Sequence, residues 1–545
     1  MLETSMDPQA SRYRRLVLAG LVLSACGKAP PKQRSADSAA ERLSAVTPYG
    51  TYRASPAREG VIAFLGVPYA RQPVGEWRWR EAEPPDTSSR VFDAVAFGHT
   101  ALQPPDENEP ASATPQGEDC LSLNVWTRSA TAGARPVLVW IHGGANVSGG
   151  TADPLYDGHN FVRDNNVVIV SINYRLGPFG FLDLSEIGGP VYTRSRNLGL
   201  LDQLAALRWV RANIAAFGGD PRNITVFGES AGGSAIMRLL GMPLAHGLFD
   251  KAIIESGGPA NIKIKGYPKK EDIPTARALT RELLREAGVS DMAGLKALSA
   301  PAILAAAQQL AHNRGDKMGV STWGARVDEL VLPEDVFGNV RRGLNPDVKL
   351  LIGTNEDEML YFKRYDKEFE RTLMREYHAT STAMGRSFAK VKDVADRYMA
   401  GSTNPMRYVD FAGEFWLRQP SILLAEGQAR YSDTYMYLWT WDSRVPGLGA
   451  AHAIELPFVF GNLIGQEAEA LTGPNPPAEL SRRIQAAWTA FALTGNPTAA
   501  GETPWPRYTA ETRATMILTE GPWSLVNDPK GDARRLLREM YDVGR

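Results

Sequence analysis

Apolar residues fall along this chain in two rhythms. Unbroken runs such as Val137-Leu138-Val139-Trp140-Ile141 and residues 167–172 predict strands buried on both faces. Residues 61–67, 121–127, 224–227, 252–254, 350–352 and 435–439 predict further strands. Residues 198–215 instead carry a helical period, with Leu201, Leu204, Ala205, Leu207 and Trp209 on one side and Asp202, Arg208 and Arg211 on the other. Residues 275–287 predict an amphipathic helix stopped by Gly288, and residues 361–430 a second helix-rich stretch. Strands alternating with helices imply an α/β fold with a mostly parallel central sheet covered by helices. The stretches 263–342 and 361–430 then read as helical insertions that wall a cleft at the carboxyl ends of the strands, where such sheets carry their sites.

Composition narrows the partners. The 545 residues are 43% hydrophobic and 22% charged, with 60 Lys and Arg against 61 Asp and Glu. Such a balance leaves no electrostatic footprint for nucleic acid. Arg12, Arg14 and Arg15 precede a short apolar run, residues 16–25, of signal-peptide length. It ends in Leu23-Ser24-Ala25-Cys26-Gly27, which resembles the lipobox of bacterial lipoprotein signals. The expectation is a signal over residues 1–26 with Cys26 lipidated, a flexible tether over 27–46 and one catalytic domain over 47–545. The protein would then be exported and anchored in the bacterial envelope, touching the membrane only through that lipid; the alternative is a soluble periplasmic or secreted form. Cys26 and Cys120 are the chain's two cysteines, so a lipidated Cys26 leaves Cys120 unpaired.

The candidate chemistry centres on Ser230. It lies in Gly228-Glu229-Ser230-Ala231-Gly232, directly after the run Ile224-Thr225-Val226-Phe227 and before a helix-compatible stretch. A strand that stops at a glycine-flanked serine has the setting of a nucleophile elbow, whose strained backbone needs small neighbours. Serine needs a general base at neutral pH. Of seven histidines, His452 is favoured: it sits in the small-residue loop Gly449-Ala450-Ala451-His452-Ala453 after a late strand. Chain order in folds of this type runs serine, acid, histidine. The acid is then expected in Glu356-Asp357-Glu358, after Leu350-Leu351-Ile352-Gly353, and spacing alone does not choose among the three. Gly143-Gly144-Ala145, after a buried strand, and the N–H of Ala231 offer backbone donors for an oxyanion.

Over residues 49–541 the chain resembles the type-B carboxylesterases of the cholinesterase/carboxylesterase family, which have the α/β-hydrolase fold. The matching motifs are Phe64-Leu65-Gly66-Val67-Pro68-Tyr69-Ala70, Glu118-Asp119-Cys120-Leu121-Ser122-Leu123-Asn124, Asn173-Tyr174-Arg175-Leu176-Gly177, Phe217-Gly218-Gly219-Asp220-Pro221 and Gly495-Asn496-Pro497. The resemblance implies Glu358 as the acid, His452 as the base, and Gly144, Ala145 and Ala231 as oxyanion donors. It implies buried polar roles behind them for Glu229, Ser256 and Glu455. The implied activity is hydrolysis of small to medium carboxylic esters through an acyl-enzyme, with no metal or other cofactor. The same triad would serve an amidase, a carbamate hydrolase or a lipase; the reading outside enzymes is a tethered binding protein, though such members typically lack a triad residue. Two positions depart from the family pattern. Ala101 stands where a cysteine usually pairs with the position of Cys120, and Asn146 stands where an aromatic residue usually follows the oxyanion glycines. Oligomeric state and natural substrate are left open by the sequence.

Overall fold

The computed structural model describes residues 43–541, except 106–113, 132, 259–271, 317, 318, 320, 321, 365–367, 370, 372, 374, 376–388, 403 and 405. The expected signal and Cys26 lie outside the described residues. Residues 44–46, expected as the end of the tether, lie in a strand, Ser44–Thr47, paired antiparallel with Gly50–Ala54. Tyr52 explains the difference, because it anchors this hairpin by stacking on Phe92 and packing against Phe217.

Fifteen strands are described. The first six are β1 (Ser44–Thr47), β2 (Gly50–Ala54), β3 (Ile62–Pro68), β4 (Val91–Ala94), β5 (Thr100–Ala101) and β6 (Gln116–Gly117). Then come β7 (Ser122–Thr127), β8 (Arg135–Ile141), β9 (Val168–Ile172), β10 (Gly219–Glu229), β11 (Lys251–Glu255), β12 (Lys349–Asn355), β13 (Thr434–Trp439), β14 (Ala514–Leu518) and β15 (Ser524–Asn527). Ten of them form one sheet in the order β15-β14-β13-β12-β11-β10-β8-β9-β7-β3. Its centre is parallel, from β9 through β8, β10, β11, β12 and β13 to β14. Antiparallel strands close both edges, β15 at one and β7 with β3 at the other.

Each central strand feeds two cores, which is why its run is apolar without a break. Val137, Val139 and Ile141 of β8 face one core and Leu138 and Trp140 the other; Ala252 and Ile254 of β11 are split in the same way from Ile253. The helix Leu198–Asn213 covers the first face through Leu204 and Leu207, and the helix Ala478–Thr494 covers the second through Ile484, Trp488 and Phe491.

The helical insertions fall where the pattern placed them. Helices Asp272–Glu286, Met292–Ala297, Ala300–Asn313 and Val336–Arg341 lie between β11 and β12, and helices Ala389–Met399, Met406–Gly413 and Gln419–Gln428 between β12 and β13. The last two are joined through a π-helical turn, Glu414–Arg418. Pro420 accounts for it: its ring supplies no N–H for the Trp416 carbonyl, which α spacing would require. Register brings the strand ends level at one edge, with Gly228 opposite Ile141, Glu229 opposite Glu255 and Asn355 opposite Trp439. Among the described residues no helix is long and apolar enough to cross a membrane.

Candidate active site

Ser230 follows the last residue of β10 and precedes the helix Ala231–Leu240. Its backbone stands at φ 55°, ψ −119°, a conformation costly for a residue with a side chain. The surroundings hold it there. Its N–H donates to the Glu255 carbonyl at 3.0 Å, and its carbonyl accepts from Ser234 N at 2.8 Å and Ser234 Oγ at 2.9 Å. Gly232 lets the helix start lie against β8: a Cβ there would sit 1.9 Å from the Ile141 carbonyl oxygen.

His452 comes from the loop after β13 and is buried beside Glu358, which follows β12. Nδ1 of His452 lies 2.6 Å from Glu358 Oε2. The other oxygen of Glu358 accepts from Ser256 Oγ at 2.6 Å and from the Asn355 N–H at 2.8 Å. Of the acidic trio, Glu358 is the carboxylate that bonds the imidazole. Glu356 is exposed, and Asp357 instead accepts from the Ala450 N–H at 3.1 Å and braces the histidine loop. Rings frame the imidazole: Phe362 stacks on it at 5.9 Å between centroids, and Tyr361 meets it edge-on at 6.0 Å.

Nε2 of His452 faces Glu229 Oε1 at 2.9 Å, an ion-pair distance outside hydrogen-bond geometry. Among the described residues Ser230 Oγ has no hydrogen bond to His452, so the resting imidazole is turned to the residue before the serine. Burial works against a charge on His452, but Glu229 and Glu358 outweigh it and raise its pKa well above the usual imidazole value. Glu229 is also raised, by burial first, against the pull of His452. At this distance the protonation of each group depends on that of the other.

Behind them lies a set of carboxyls that the sequence reading covered only in part. Glu455, expected there, receives Asn355 Nδ2 at 2.6 Å, and its pKa is raised well above normal by burial and by Glu229 and Glu255. Ser256, also expected, bonds Glu358 as described. Glu255 was missed, as were Tyr437 and Trp488 as its neighbours. Trp488 Nε1 donates to Glu255 Oε1 at 2.9 Å, and burial pushes the Glu255 carboxyl up to about 8. One signal was available: Glu229 and Glu255 are both charges that end an otherwise apolar run.

The turn after β8 completes the site. Gly144, Ala145 and Asn146 have φ of 94°, 54° and 65°, three consecutive left-handed residues. Gly143 lies against the serine, since a Cβ on it would be 3.2 Å from Ser230 Cβ and 3.0 Å from Glu229 Oε2. Among the described residues the N–H groups of Gly144 and Ala145 have no intramolecular acceptor. The Ala231 N–H opens a helix and belongs to the donors a first turn leaves free. His142 supports the turn rather than reaching the serine. It is fully buried, stacks on Tyr174 at 4.4 Å, and burial lowers its pKa to about 4. Cys120 is a buried free thiol. No group of three or more His, Cys, Asp or Glu arranged to hold a metal occurs among the described residues.

A serine on a strained strand-to-helix turn, an imidazole held by a carboxylate and a cradle of free N–H groups define an α/β-hydrolase site. Residues 47–533 match the carboxylesterase family, and the chain belongs to that family. Para-nitrobenzyl esterase of Bacillus subtilis (strain 168) is 40% identical over 498 residues, 90% of this chain and 97% of that protein. Phenmedipham hydrolase of Pseudarthrobacter oxydans is 32% identical over 84% of this chain and 92% of its own. Among solved structures, a thermophilic pNB esterase aligns with a TM-score of 0.79 at 36% identity, covering 91% of this chain and all of that one. A carboxylesterase of Geobacillus stearothermophilus aligns at 0.78 with 35% identity and the same coverage. The protein is a carboxylic-ester hydrolase of the serine hydrolase type.

Proposed function

We propose that Ser230, His452 and Glu358 carry the ester hydrolysis, with Gly144, Ala145 and Ala231 as the oxyanion donors. The observation that carries this reading is the Glu358–His452 bond at 2.6 Å on the same strand edge as the strained serine. Nε2 exchanges its contact with Glu229 for the Ser230 hydroxyl as the ester carbonyl arrives. Ser230 Oγ then attacks the carbonyl carbon, and its proton passes to Nε2. Glu358, fixed by Ser256 and the Asn355 N–H, stabilises the imidazolium and holds its tautomer. The carbonyl oxygen takes the negative charge and is met by N–H groups already in place, so little reorganisation accompanies the step. His452 returns the proton to the departing alcohol, and water repeats the sequence to release the acid. Ser230→Ala is expected to lower kcat on a nitrophenyl ester by about 10⁴-fold or more and to abolish labelling by a fluorophosphonate. Wild-type turnover in that variant would remove Ser230 from the mechanism.

Export and anchoring belong to the same proposal: Cys26 bears a lipid that tethers the hydrolase to the bacterial envelope. The support is the basic, apolar and Cys-terminated order of residues 12–26. Cys26→Ala is expected to move activity from the membrane fraction to the soluble fraction. An unchanged distribution would count against lipidation.

A further inference from the structure

We infer that Gln103 is a positioning residue for the turn that carries Gly144 and Ala145, which it clamps from behind through Gly149. The inference rests on the reading of that turn as the oxyanion cradle.

The turn needs outside restraint. Its three consecutive left-handed residues include two with side chains, which favour other backbone conformations. Part of the restraint is internal: Val147 N and Ser148 N both donate to the Gly144 carbonyl at 2.9 Å. Gly177 N donates to the Asn146 carbonyl at 2.8 Å. The far arm is held by one carboxamide. Gln103 Oε1 accepts from Gly149 N at 2.8 Å, and Gln103 Nε2 donates to the Gly149 carbonyl at 2.9 Å. A side chain here pairs with a peptide as one strand pairs with the next. The second donor of Nε2 goes to the Ala101 carbonyl at 3.0 Å, so every polar group of the carboxamide is engaged.

Gly149 passes that restraint on to the turn. It has φ 98°, and a Cβ on it would lie 2.6 Å from His142 Nδ1 and 2.9 Å from the Gly143 carbonyl. The Gly149 backbone therefore bears directly on the peptide that precedes Gly144. Gln103 in turn sits on the segment that has Ala101 in place of the family's usual cysteine. That segment is closed without a disulfide, by pairing of Thr100–Ala101 with Gln116–Gly117 and by the Gln103 N–H on Gln116 Oε1 at 3.1 Å.

The fold contains its own control. Gln72 makes the same pattern with Leu121: Leu121 N donates to Oε1 at 3.0 Å, and Nε2 donates to the Leu121 and Ala70 carbonyls, each at 3.1 Å. That clamp does not touch the glycine turn. Gln103→Met and Gln72→Met in the full chain thus remove equivalent bonds with different expected consequences.

The readouts are kcat and KM on a nitrophenyl ester, per site titrated with a fluorophosphonate, and the affinity for a trifluoromethyl ketone. With that ketone the serine oxygen adds to the carbonyl carbon, the serine proton goes to His452, and the former carbonyl oxygen becomes the oxyanion. Gln103→Met is expected to lower kcat and ketone affinity by a common factor of about 10 or more, with KM within about two-fold. Gln72→Met is expected to lower thermal stability and leave both quantities per titrated site unchanged. If Gln103→Met does not fold, Gln103→Glu replaces it; that variant keeps the acceptor for Gly149 N and sets a carboxylate against the Gly149 carbonyl, and the same loss is expected. Unchanged kcat and ketone affinity, or a loss no greater than that of Gln72→Met, overturns the inference while leaving the serine mechanism standing. Failure of the wild type to form the ketone adduct overturns the oxyanion reading and this inference together.

Discussion

At the scale of single residues, one proton decides when the site works. A general base must be neutral to accept from serine. His452 is held above its usual pKa chiefly because Glu229 stands 2.9 Å from Nε2 and Glu358 2.6 Å from Nδ1. Activity is therefore lost as pH falls through this raised value, so the acid limb of kcat/KM lies higher than an isolated histidine would place it. Glu229→Gln removes the negative charge nearest Nε2 and is expected to move that limb to lower pH. A pH profile of kcat/KM for the two proteins checks the direction, and a limb that stays in place or moves up would falsify the role given to Glu229. The same residue shows what lay beyond sequence reading. Gly-x-Ser-x-Gly marks the serine, but nothing in the order Glu229-Ser230 says that the glutamate, rather than the serine, meets the imidazole at rest. That contact depends on where a loop more than two hundred residues later comes to lie.

At the scale of elements, the site is a consequence of strand ends brought level. β8, β10, β12 and β13 each read as an apolar run in the sequence, and each delivers one part: the glycine turn, Ser230, Glu358 and His452. These were legible because a strand buried on both faces leaves an unbroken apolar signal. Several exposed strands were not. β15 is exposed throughout, and β1 and β2 carry mixed exposure, so no apolar rhythm distinguishes them from loop. The choice of Glu358 over Glu356 and Asp357 came from the resemblance alone and was hidden from spacing, since it rests on how the turn before the 3-10 helix Glu358–Arg364 presents three adjacent carboxylates. The crossing of β8 and the helix Ala231–Leu240 sets the tightest demand, at Gly232. A methyl group there would meet the Ile141 carbonyl at 1.9 Å, a backbone atom that has no rotamer with which to yield. Gly232→Ala is expected to destabilise the protein by about 3 kcal/mol or more. The urea midpoint should fall with an unchanged slope, and a midpoint equal to wild type would mean that helix and strand separate more readily than their packing implies.

At the scale of the whole molecule, Glu255 links the active site to global stability. It ends β11, in the middle of the ten-stranded sheet, fully buried and opposite Glu229 on one side and Gly353 on the other. Burial opposes the charge and pushes its carboxyl up to about 8 in the fold, against 4.5 for an ordinary glutamate. Between those values the folded protein keeps a proton that the unfolded chain has lost. Stability from this group is complete below the unfolded value and is lost as pH rises through the folded one. Ionised above that point, Glu255 adds a negative charge beside Glu229 and destabilises the centre of the sheet, not a peripheral loop. Glu255→Gln keeps an oxygen to receive Trp488 Nε1 and removes the ionisation. Its melting temperature is expected to match wild type near pH 5 and to exceed it near pH 9, by a margin on the order of a few kcal/mol in unfolding free energy. Because Glu255 also anchors Ser230 through its backbone carbonyl, a bond the substitution leaves alone, ester turnover per titrated site should survive the change. A stability difference independent of pH would show that the carboxyl is solvated or already ionised in the fold, and that the charge at the sheet centre is balanced by some other group.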